Sequence, residues 1–268
     1  MRKQRQFALG ILVVIFSASL MARVFAPAPY ARQFRQSPNA PPSRQFLLGT
    51  DELGRDRLSR ILVGSQVSLL LAPAAALLST LLAALVGGVA GTLGGWWERL
   101  AMGAADLFLS LPWLFLLLTV RAMLPLNVSP LLSVVITFAL LGSLGWAAAA
   151  RVVCAGARGL RTSDFILQAR ACGCRSLRLL IMHVLPSLKP ALYAQFWISI
   201  PVFILAEANL GVLGLGVAEP LPSWGNLLRE LENYRSLLAD PWLLAPLVLM
   251  VLVVSCFQII IPLEDFPS

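Results

Sequence analysis

The chain has 268 residues, of which 58% are hydrophobic and only 13% are charged, and its formal net charge is +8. Soluble domains carry about 25% charged residues, so this composition excludes an ordinary water-exposed surface and predicts a helical membrane protein. The basic residues lie mostly between apolar segments, where contacts with lipid headgroups and the cytoplasmic face explain them better than nucleic acid does.

The first apolar segment permits two interpretations. A basic start is followed by an apolar run from residue 7 to about residue 22. Together with nearby small residues, this pattern fits a cleaved secretory signal. A retained first transmembrane helix over residues 1–26, with Arg23 snorkelling to the membrane surface, agrees better with the many apolar runs that follow.

A polar segment, residues 27–66, follows, and prolines at positions 27, 29, 41 and 42 exclude a long helix. Five more apolar runs have about the length needed to cross ~30 Å of hydrocarbon as helices. They are residues 67–93, 100–123, 131–150, 191–208 and 241–262. We therefore predict an all-α integral membrane protein with about six transmembrane helices, a core at residues 67–262 and a short cytoplasmic tail at residues 263–268.

Glycines at the end of the second apolar run form a pattern. Gly87, Gly91 and Gly95 are spaced four residues apart, which places them on one helix face. Small residues on such a face let a neighbouring backbone approach closely, so they predict a helix-packing surface. Incidental glycine enrichment, which membrane helices show in general, is the alternative.

The charges between the apolar runs predict the orientation. Residues 151–190 carry seven basic residues against one acid, whereas residues 209–240 carry two against four. Positive loops tend to stay in the cytoplasm, so residues 151–190 and, with six helices, both termini are predicted to be cytoplasmic. The arginine-rich residues 27–66 would then be periplasmic, which is the one signal that disagrees.

The cytoplasmic loop predicts two short helices, at residues 163–173 and 175–184, with a hinge at Gly173. Such a knob suits docking into a groove of a cytoplasmic partner, and it suits equally a surface loop lying on lipid headgroups. Within the helices, Asp106 and Arg121 are fifteen residues apart and cannot pair along one straight helix. We expect Arg121 to snorkel from a helix end.

Three segments resemble the permeases of binding-protein-dependent ABC importers, in the dipeptide, oligopeptide and nickel branch. The loop resembles their EAA motif, which reads Glu-Ala-Ala, three residues, Gly, nine residues, Ile, one residue, Leu-Pro. The candidate coupling residues in it are Asp164, Phe165, Leu167, Gln168, Ala169, Arg170, Ala171, Gly173, His183, Leu185 and Pro186. Leu167 stands in place of the motif's glutamate, and His183 stands in place of its isoleucine.

Two further segments share the resemblance. The LGTDxLGRDxxSR signature before the second helix corresponds to Gly49, Thr50, Asp51, Leu53, Gly54, Arg55, Asp56, Ser59 and Arg60. The ILAEAxLxxLGLGVxxPxPSWGN signature contains the candidate periplasmic gate residues Glu207, Gly214, Gly216, Pro222, Trp224 and Gly225. Together the three segments cover about residues 46–242 in the order that the family has.

The resemblance implies a MetI-like bundle of transmembrane helices that works as part of a larger machine. This chain and a second homologous permease would sit on two cytoplasmic ABC ATPase subunits, and a periplasmic or lipid-anchored binding protein would deliver a peptide, nickel or a related small solute. ATP and magnesium would be used by the ATPases, so this chain is expected to bind no cofactor and to have no enzymatic activity. Without the glutamate, coupling would be weaker or the partner groove more apolar, with Arg170 as a partial substitute.

Two other function classes are the alternatives: a membrane-embedded enzyme, and a stand-alone channel or carrier. The sequence has no clustered Asp, His, Ser or Cys set within the predicted helices. It also has no P-loop, because neither of its lysines, Lys3 and Lys189, follows a glycine. Its four cysteines lack the spacing of a metal site and are expected to be free. Solute movement without an ATPase would favour the carrier.

Overall fold

The computed structural model describes residues 2–125, 128–232 and 240–260. Over these residues the chain is helical, and its only β-type pairings are two isolated bridges, Gln33 with Arg55 and Thr50 with Asp56. The described residues form two compact units. The first comprises Met1–Ala72, Val120–Phe138 and Pro201–Ile261, and the second comprises Pro73–Thr119 and Ala139–Ile200. The all-α prediction is confirmed.

The described part contains thirteen α-helices, which we number in chain order. They are α1 (Arg2–Leu20), α2 (Ala22–Phe25), α3 (Arg57–Leu93), α4 (Gly95–Ser110), α5 (Trp113–Met123), α6 (Pro130–Leu144), α7 (Trp146–Leu160), α8 (Asp164–Ala171), α9 (Ser176–Leu179), α10 (Leu185–Ser187), α11 (Lys189–Val212), α12 (Trp224–Arg229) and α13 (Ala245–Ile260). A π-helical turn, Leu180–Val184, joins α9 to α10. In the first unit, α13 packs against both α1 and α12.

Four helical segments of the described chain are long and apolar enough to cross a membrane. They are Arg57–Leu93, Pro130–Leu160, Lys189–Val212 and Pro241–Ile260, and the bent pair of α4 and α5 adds a fifth if it counts as one crossing. The predicted first helix is present as α1, but a turn at Met21 interrupts it. Its basic first turn also leaves an apolar stretch shorter than the ~20 residues of a crossing, so the predicted number of six is approximate.

Three predictions fall outside what the structure describes. The tail at residues 263–268 and the end of the last predicted helix lie beyond residue 260, and the side chain of Arg23 is also outside the described part.

The second predicted helix begins earlier than expected, at Arg57 instead of residue 67. The carboxylate of Asp56 accepts hydrogen bonds from the Ser59 backbone N–H (2.8 Å) and the Ser59 hydroxyl (2.6 Å). A side-chain acceptor just before the first turn satisfies an N–H that has no partner inside the helix. The polar segment predicted over residues 27–66 therefore ends at Asp56, and Ser59 and Arg60 are helical.

The helix predicted over residues 100–123 is broken. Between α4 and α5 the chain bends by 90°, at Leu111 and Pro112. Leu111 is extended, with φ −86° and ψ 136°. A residue before proline avoids the helical region because of a clash with the proline ring. The apolar composition continues through the break, so the run of hydrophobic residues concealed it.

The helix predicted over residues 131–150 is longer than expected. It continues through a turn at Gly145 to Leu160, so residues 151–160 of the predicted loop are helical. Alanine, valine and cysteine line the buried face of α7, which supplies a smooth surface for close packing.

That surface meets the glycines of α3 within the second unit. A Cβ added to Gly87 would lie 2.3 Å from the carbonyl oxygen of Ala150, and one added to Gly91 would lie 2.6 Å from that of Cys154. At these two glycines the backbones of α3 and α7 approach closely. Gly95 does not contribute, because it lies beyond the end of α3 and a Cβ there would have nothing within 4 Å.

Candidate functional site

A buried isoleucine anchors α8 in the second unit. Ile166 is 1% exposed and packs with Val153 and Ala157 of α7. The same apolar cluster also contains Leu179, Leu180, Val184 and Leu188. Burying one aliphatic side chain of this size contributes about 2 kcal/mol. The predicted knob is therefore a packed structure fixed to α7.

The turn after α8 is a Schellman motif centred on Gly173. The Gly173 N–H donates to the Arg170 carbonyl (2.9 Å), and the Cys174 N–H donates to the Ala169 carbonyl (3.0 Å). This motif needs a left-handed residue just past the helix, and Gly173 has φ +77°. Glycine adopts that conformation without the steric cost of a Cβ, so the residue sets how α9 leaves α8.

The outer face of α8 combines apolar and polar side chains. Phe165 is 43% exposed and Leu167 is 49% exposed. The other exposed residues of α8 are Asp164, Gln168, Arg170 and Ala171, and Ala169 is partly buried. Leu167 presents an apolar surface where the motif has a carboxylate. The guanidinium of Arg170 donates to the carbonyl of Thr92 at the end of α3 (3.4 Å), so it is engaged within the chain.

The remaining residues of the motif lie around this knob. Ser163 precedes α8, but its hydroxyl donates back to the carbonyl oxygen of Leu160 (2.6 Å), so its side chain does not cap the helix. His183 is partly buried in the π-helical turn, Leu185 packs against the apolar cluster, and Pro186 is exposed in α10. The helix predicted over residues 175–184 is thus α9 followed by a π-helical turn, a rare element that often occurs at functional sites.

Sequence reasoning missed an acid that organises the same unit. Glu98, in the first turn of α4, pairs with Arg158 and, at 2.9 Å, with Arg161, both from the end of α7. Its side chain is only 13% exposed, so these pairs are partly shielded from water. The available signal was an acid in a mostly apolar stretch, in the first turn of a helix, where a negative charge is favourable.

In the first unit, the LGTDxLGRD segment folds around Asp51. One carboxylate oxygen of Asp51 accepts hydrogen bonds from the backbone N–H groups of Leu53 (3.0 Å) and Arg55 (2.7 Å). The turn holds Gly54 at φ +73°, where a Cβ would lie 2.3 Å from the carbonyl oxygen of Phe34. An aspartate that hydrogen-bonds its own turn and a glycine with positive φ are both needed for this backbone path.

The preceding residues fix the entry to that turn. The Thr50 hydroxyl donates to the Ser37 carbonyl (2.5 Å) and accepts from the Ala40 N–H (2.8 Å). Gly49 packs against the same part of the chain, since a Cβ there would lie 2.3 Å from the carbonyl oxygen of Ala40.

Three arginines and three acids join this segment to a distant part of the chain. We call them the Asp51 cluster: Asp51, Arg55, Arg57, Arg60, Glu219 and Glu230. Arg55 pairs with Asp51 (2.6 Å) and Glu219 (2.5 Å). Arg60, which is 1% exposed, pairs with Asp51, Glu219 (2.9 Å) and Glu230 (3.1 Å). Buried charges of this kind are tolerated when each has partners, so the cluster holds the two signature segments together.

Burial and pairing act differently on the pKa values of the cluster. Burial alone would raise the pKa of Asp51, but hydrogen bonds from Arg55 and the charge of Arg60 lower it below 3.8. Burial alone would lower the pKa of Arg55, but Asp51 and Glu219 raise it. For Glu230, burial dominates and raises the pKa above 4.5 despite the charges of Arg57 and Arg60. Asp51 is therefore the firmly ionised centre of the cluster.

The second signature segment packs on α3 through Trp224. This side chain is fully buried, and its indole N–H donates to the Ser65 hydroxyl (2.9 Å). Its backbone N–H donates to the Ser68 hydroxyl (3.4 Å). Gly225 lies so close to Gly211 of α11 that a Cβ on Gly211 would be 2.4 Å from the Gly225 Cα. Neither serine was singled out from the sequence.

Glu207 is buried in the interior of the same unit. The hydroxyl of Ser68 donates to its carboxylate (3.5 Å), and Ser223 and Gly225 lie beside it. The other predicted gate residues surround the turn after α11: Gly214 has φ +76°, Gly216 packs against Gly211, and Pro222 is buried. The gate candidates therefore form a packed structure around the α11–α12 connection.

The two charges predicted for the third helix have separate environments. Arg121 is 1% exposed, so the expectation that it snorkels to the surface is wrong. Asp106 pairs with Arg151 at 2.9 Å, and both side chains are more than half exposed. The straight helix assumed for both residues does not exist, because the bend at Pro112 separates α4 from α5.

Several membrane-length helices, a packed helical knob and a buried polar connection define a multi-pass membrane protein. The sequence profile described as "Binding-protein-dependent transport system inner membrane component" matches residues 68–263. The chain therefore belongs to the family of inner-membrane components of binding-protein-dependent transport systems. It is a permease subunit of an ABC transporter in the inner membrane.

Similar proteins match over nearly the whole chain. The oligopeptide transport system permease protein OppC of Mycobacterium tuberculosis (strain ATCC 25618 / H37Rv) is 32% identical over 250 residues, which cover 93% of this chain and 84% of the relative. The protein OppC of Bacillus subtilis (strain 168) is 30% identical, with 90% and 76% covered. The dipeptide transport system permease protein DppC of the same organism is 30% identical, with 87% and 71% covered.

Proposed function

We propose that this chain is one of the membrane subunits through which an ATP-driven importer moves peptides across the inner membrane. The permeases that it resembles are named for oligopeptide and dipeptide transport, which supports peptides over nickel as the solute. A second homologous permease would complete the pathway, and a binding protein would deliver the peptide on the periplasmic side.

We propose α8 as the contact with a separate ATPase, which would use the ATP and magnesium. One observation carries this assignment: Ile166 fixes α8 on α7, while Phe165 and Leu167 of the same short helix remain exposed. A helix held by a buried anchor can transmit a displacement to the helix on which it packs. Exposed apolar residues on its outer face suit a hydrophobic groove. This placement requires residues 163–190 and both termini to be cytoplasmic.

In this proposal ATP binding and release shift the permease between outward-facing and inward-facing states. The second unit, with α8, receives the motion. The Asp51 cluster and Glu207 act as structural anchors of the periplasmic segments, so that these segments move as one body.

The test is peptide uptake into proteoliposomes that contain the purified transporter with both permeases and the ATPases. We expect accumulation of a labelled peptide that requires ATP and the binding protein. Phe165→Asp should abolish uptake without preventing membrane insertion, because a charge on α8 disfavours an apolar groove. Thr162→Asp, which adds the same charge on the exposed turn before α8, is the matched control. Uptake by the permeases without the ATPases would overturn the proposal in favour of a channel or carrier.

A further inference from the structure

Arg121 is a buried cation without a matching anion. It lies in the last turn of α5, is 1% exposed, and takes part in none of the ion pairs found within residues 2–125, 128–232 and 240–260. An arginine keeps its charge at any physiological pH. Burying a charge that is not neutralised costs much free energy, so a negatively charged group is expected to bind beside Arg121.

The hydrogen bonds of Arg121 do not supply that partner. Its guanidinium donates to the carbonyls of Pro125 (3.4 Å) and Gly216 (3.4 Å) and to the hydroxyl of Ser133 (3.3 Å). These acceptors are neutral, and the distances exceed the ~2.9 Å of a good N–H···O bond. Its Nε has no acceptor among the described residues. These groups position the guanidinium of Arg121, but they leave it able to form stronger hydrogen bonds with an anion.

A cavity lies beside this guanidinium in the first unit. It has a volume of about 150 Å³, and its lining includes Arg121, Arg229, Asn226 and Glu219. Arg229 forms no ion pair with any described residue and lies over Gly214. A cavity of this size has room for a group of a few heavy atoms.

The single acid in this lining is already neutralised. One carboxylate oxygen of Glu219 accepts from Arg60 (2.9 Å) and the other accepts from Arg55 (2.5 Å). The charges of Arg121 and Arg229 therefore dominate the cavity. A planar guanidinium fork matches the two oxygens of a carboxylate better than it matches a spherical ion.

We propose that this cavity binds a small carboxylate, held by Arg121 and Arg229. Two sources share that chemistry: a free carboxylate from solution, and the terminal carboxylate of a solute in transit. The second source rests on the proposed transport function, whereas binding itself does not.

The primary test uses the assembled transporter in lipid nanodiscs and sodium acetate as the probe. The midpoint of thermal unfolding is measured while acetate replaces chloride at constant ionic strength. We expect a saturable rise for the wild type, and no rise for Arg121→Gln. Arg229→Gln should keep the rise but need at least about tenfold more acetate, which corresponds to one lost charged hydrogen bond. Arg151→Gln, a change at an exposed arginine of the second unit, should respond like the wild type.

Two results would overturn the site: an acetate response of equal size in Arg121→Gln, or no response to acetate in the wild type beyond that to chloride. If Arg121→Gln does not assemble, the acetate titration of Arg229→Gln tests the site instead. A half-saturating acetate concentration equal to that of the wild type would then reject the proposal.

The source of the carboxylate is then assigned by uptake of a peptide with a free C-terminus and of its C-amidated form. If the solute supplies the carboxylate, Arg229→Gln lowers uptake of the free form selectively. If a free anion is bound, both forms are affected equally, and either pattern supports the site. A complete lack of peptide uptake would count against the proposed function only, because the acetate titration remains readable.

Discussion

Arg60 donates a hydrogen bond of 2.9 Å to the carboxylate of Glu219 and forms an ion pair with it. Glu219 lies 159 positions further along the chain. Arg60 belongs to the signature at the start of α3, and Glu219 stands at an unspecified position of the signature that runs from the end of α11 into α12. The contact joins the two segments physically, since each supplies charges that the other neutralises. The sequence alone showed two motifs, and the structure shows a single, partly buried cluster.

Replacing Asp51 with Asn should destabilise the first unit by about 3 kcal/mol, because two arginines then lose a buried partner. We expect a lower midpoint of thermal unfolding for the purified protein. Glu52→Gln is the control: Glu52 is the exposed neighbour and takes part in none of the described ion pairs. Equal loss of stability in both variants would show that the Asp51 cluster is not the cause.

The pH dependence of stability should separate Asp51 from Glu230. The pKa of Asp51 is lowered from 3.8, so its stabilisation is complete above 3.8 and is lost as the pH falls below it. The pKa of Glu230 is raised from 4.5, so folding takes up a proton above 4.5 and stability falls as the pH rises through the folded pKa.

Unfolding midpoints measured against pH for the wild type and Glu230→Gln test this. The wild type should lose stability, relative to the variant, as the pH rises above 4.5. A relative gain over that interval would contradict the assignment.

Gly91→Ala should loosen the packing of α3 on α7. A Cβ there would lie 2.6 Å from the carbonyl oxygen of Cys154, so the helices must separate, at a cost of about 1–3 kcal/mol. Gly103→Ala is the matched change in α4, where a Cβ would have nothing within 4 Å. It should be neutral or stabilising by up to about 1 kcal/mol. Unfolding midpoints of the two variants in detergent make the comparison, and equal midpoints would contradict the contact.

Gly173→Val should uncouple ATP hydrolysis from transport while leaving membrane insertion intact. The residue has φ +77°, which a β-branched side chain strongly disfavours, although there is open space around it. We expect peptide uptake to fall at least about tenfold, equivalent to 1.4 kcal/mol. Gly173→Asn keeps the left-handed conformation accessible and should preserve most uptake. Normal uptake by Gly173→Val would show that coupling does not require the Schellman turn.

The extent of sequence-based prediction differs between elements. The apolar runs located the long helices, and the hinge glycine located the knob, because both signals are local. The bend at Pro112 was missed because hydrophobic composition hides a backbone break. The length of α3 was missed because Asp56 acts as a helix cap within a segment that looks like a polar loop.

In the candidate sites, too, local motifs could be recognised from the sequence, whereas contacts between distant residues could not. Asp51, Arg55 and Arg60 were recognised as a motif, but their partners Glu219 and Glu230 lie far away in sequence. No periodicity or spacing connects such residues. Arg121 was misplaced for a related reason, since its burial depends on α6 and the segment after α11, which supply Ser133 and Gly216.

In the proposed mechanism, α8 is the element through which a separate ATPase acts. The most direct measurement is site-specific cross-linking of the assembled transporter, with Leu167→Cys as the reporter and the native Cys172 and Cys174 changed to serine. Leu167 is 49% exposed, so the thiol can reach a partner. We predict a cross-link to the ATPase whose yield changes when ATP is added. A transporter that is active in ATP-driven uptake, yet gives no cross-link from this position to the ATPase, would contradict the account.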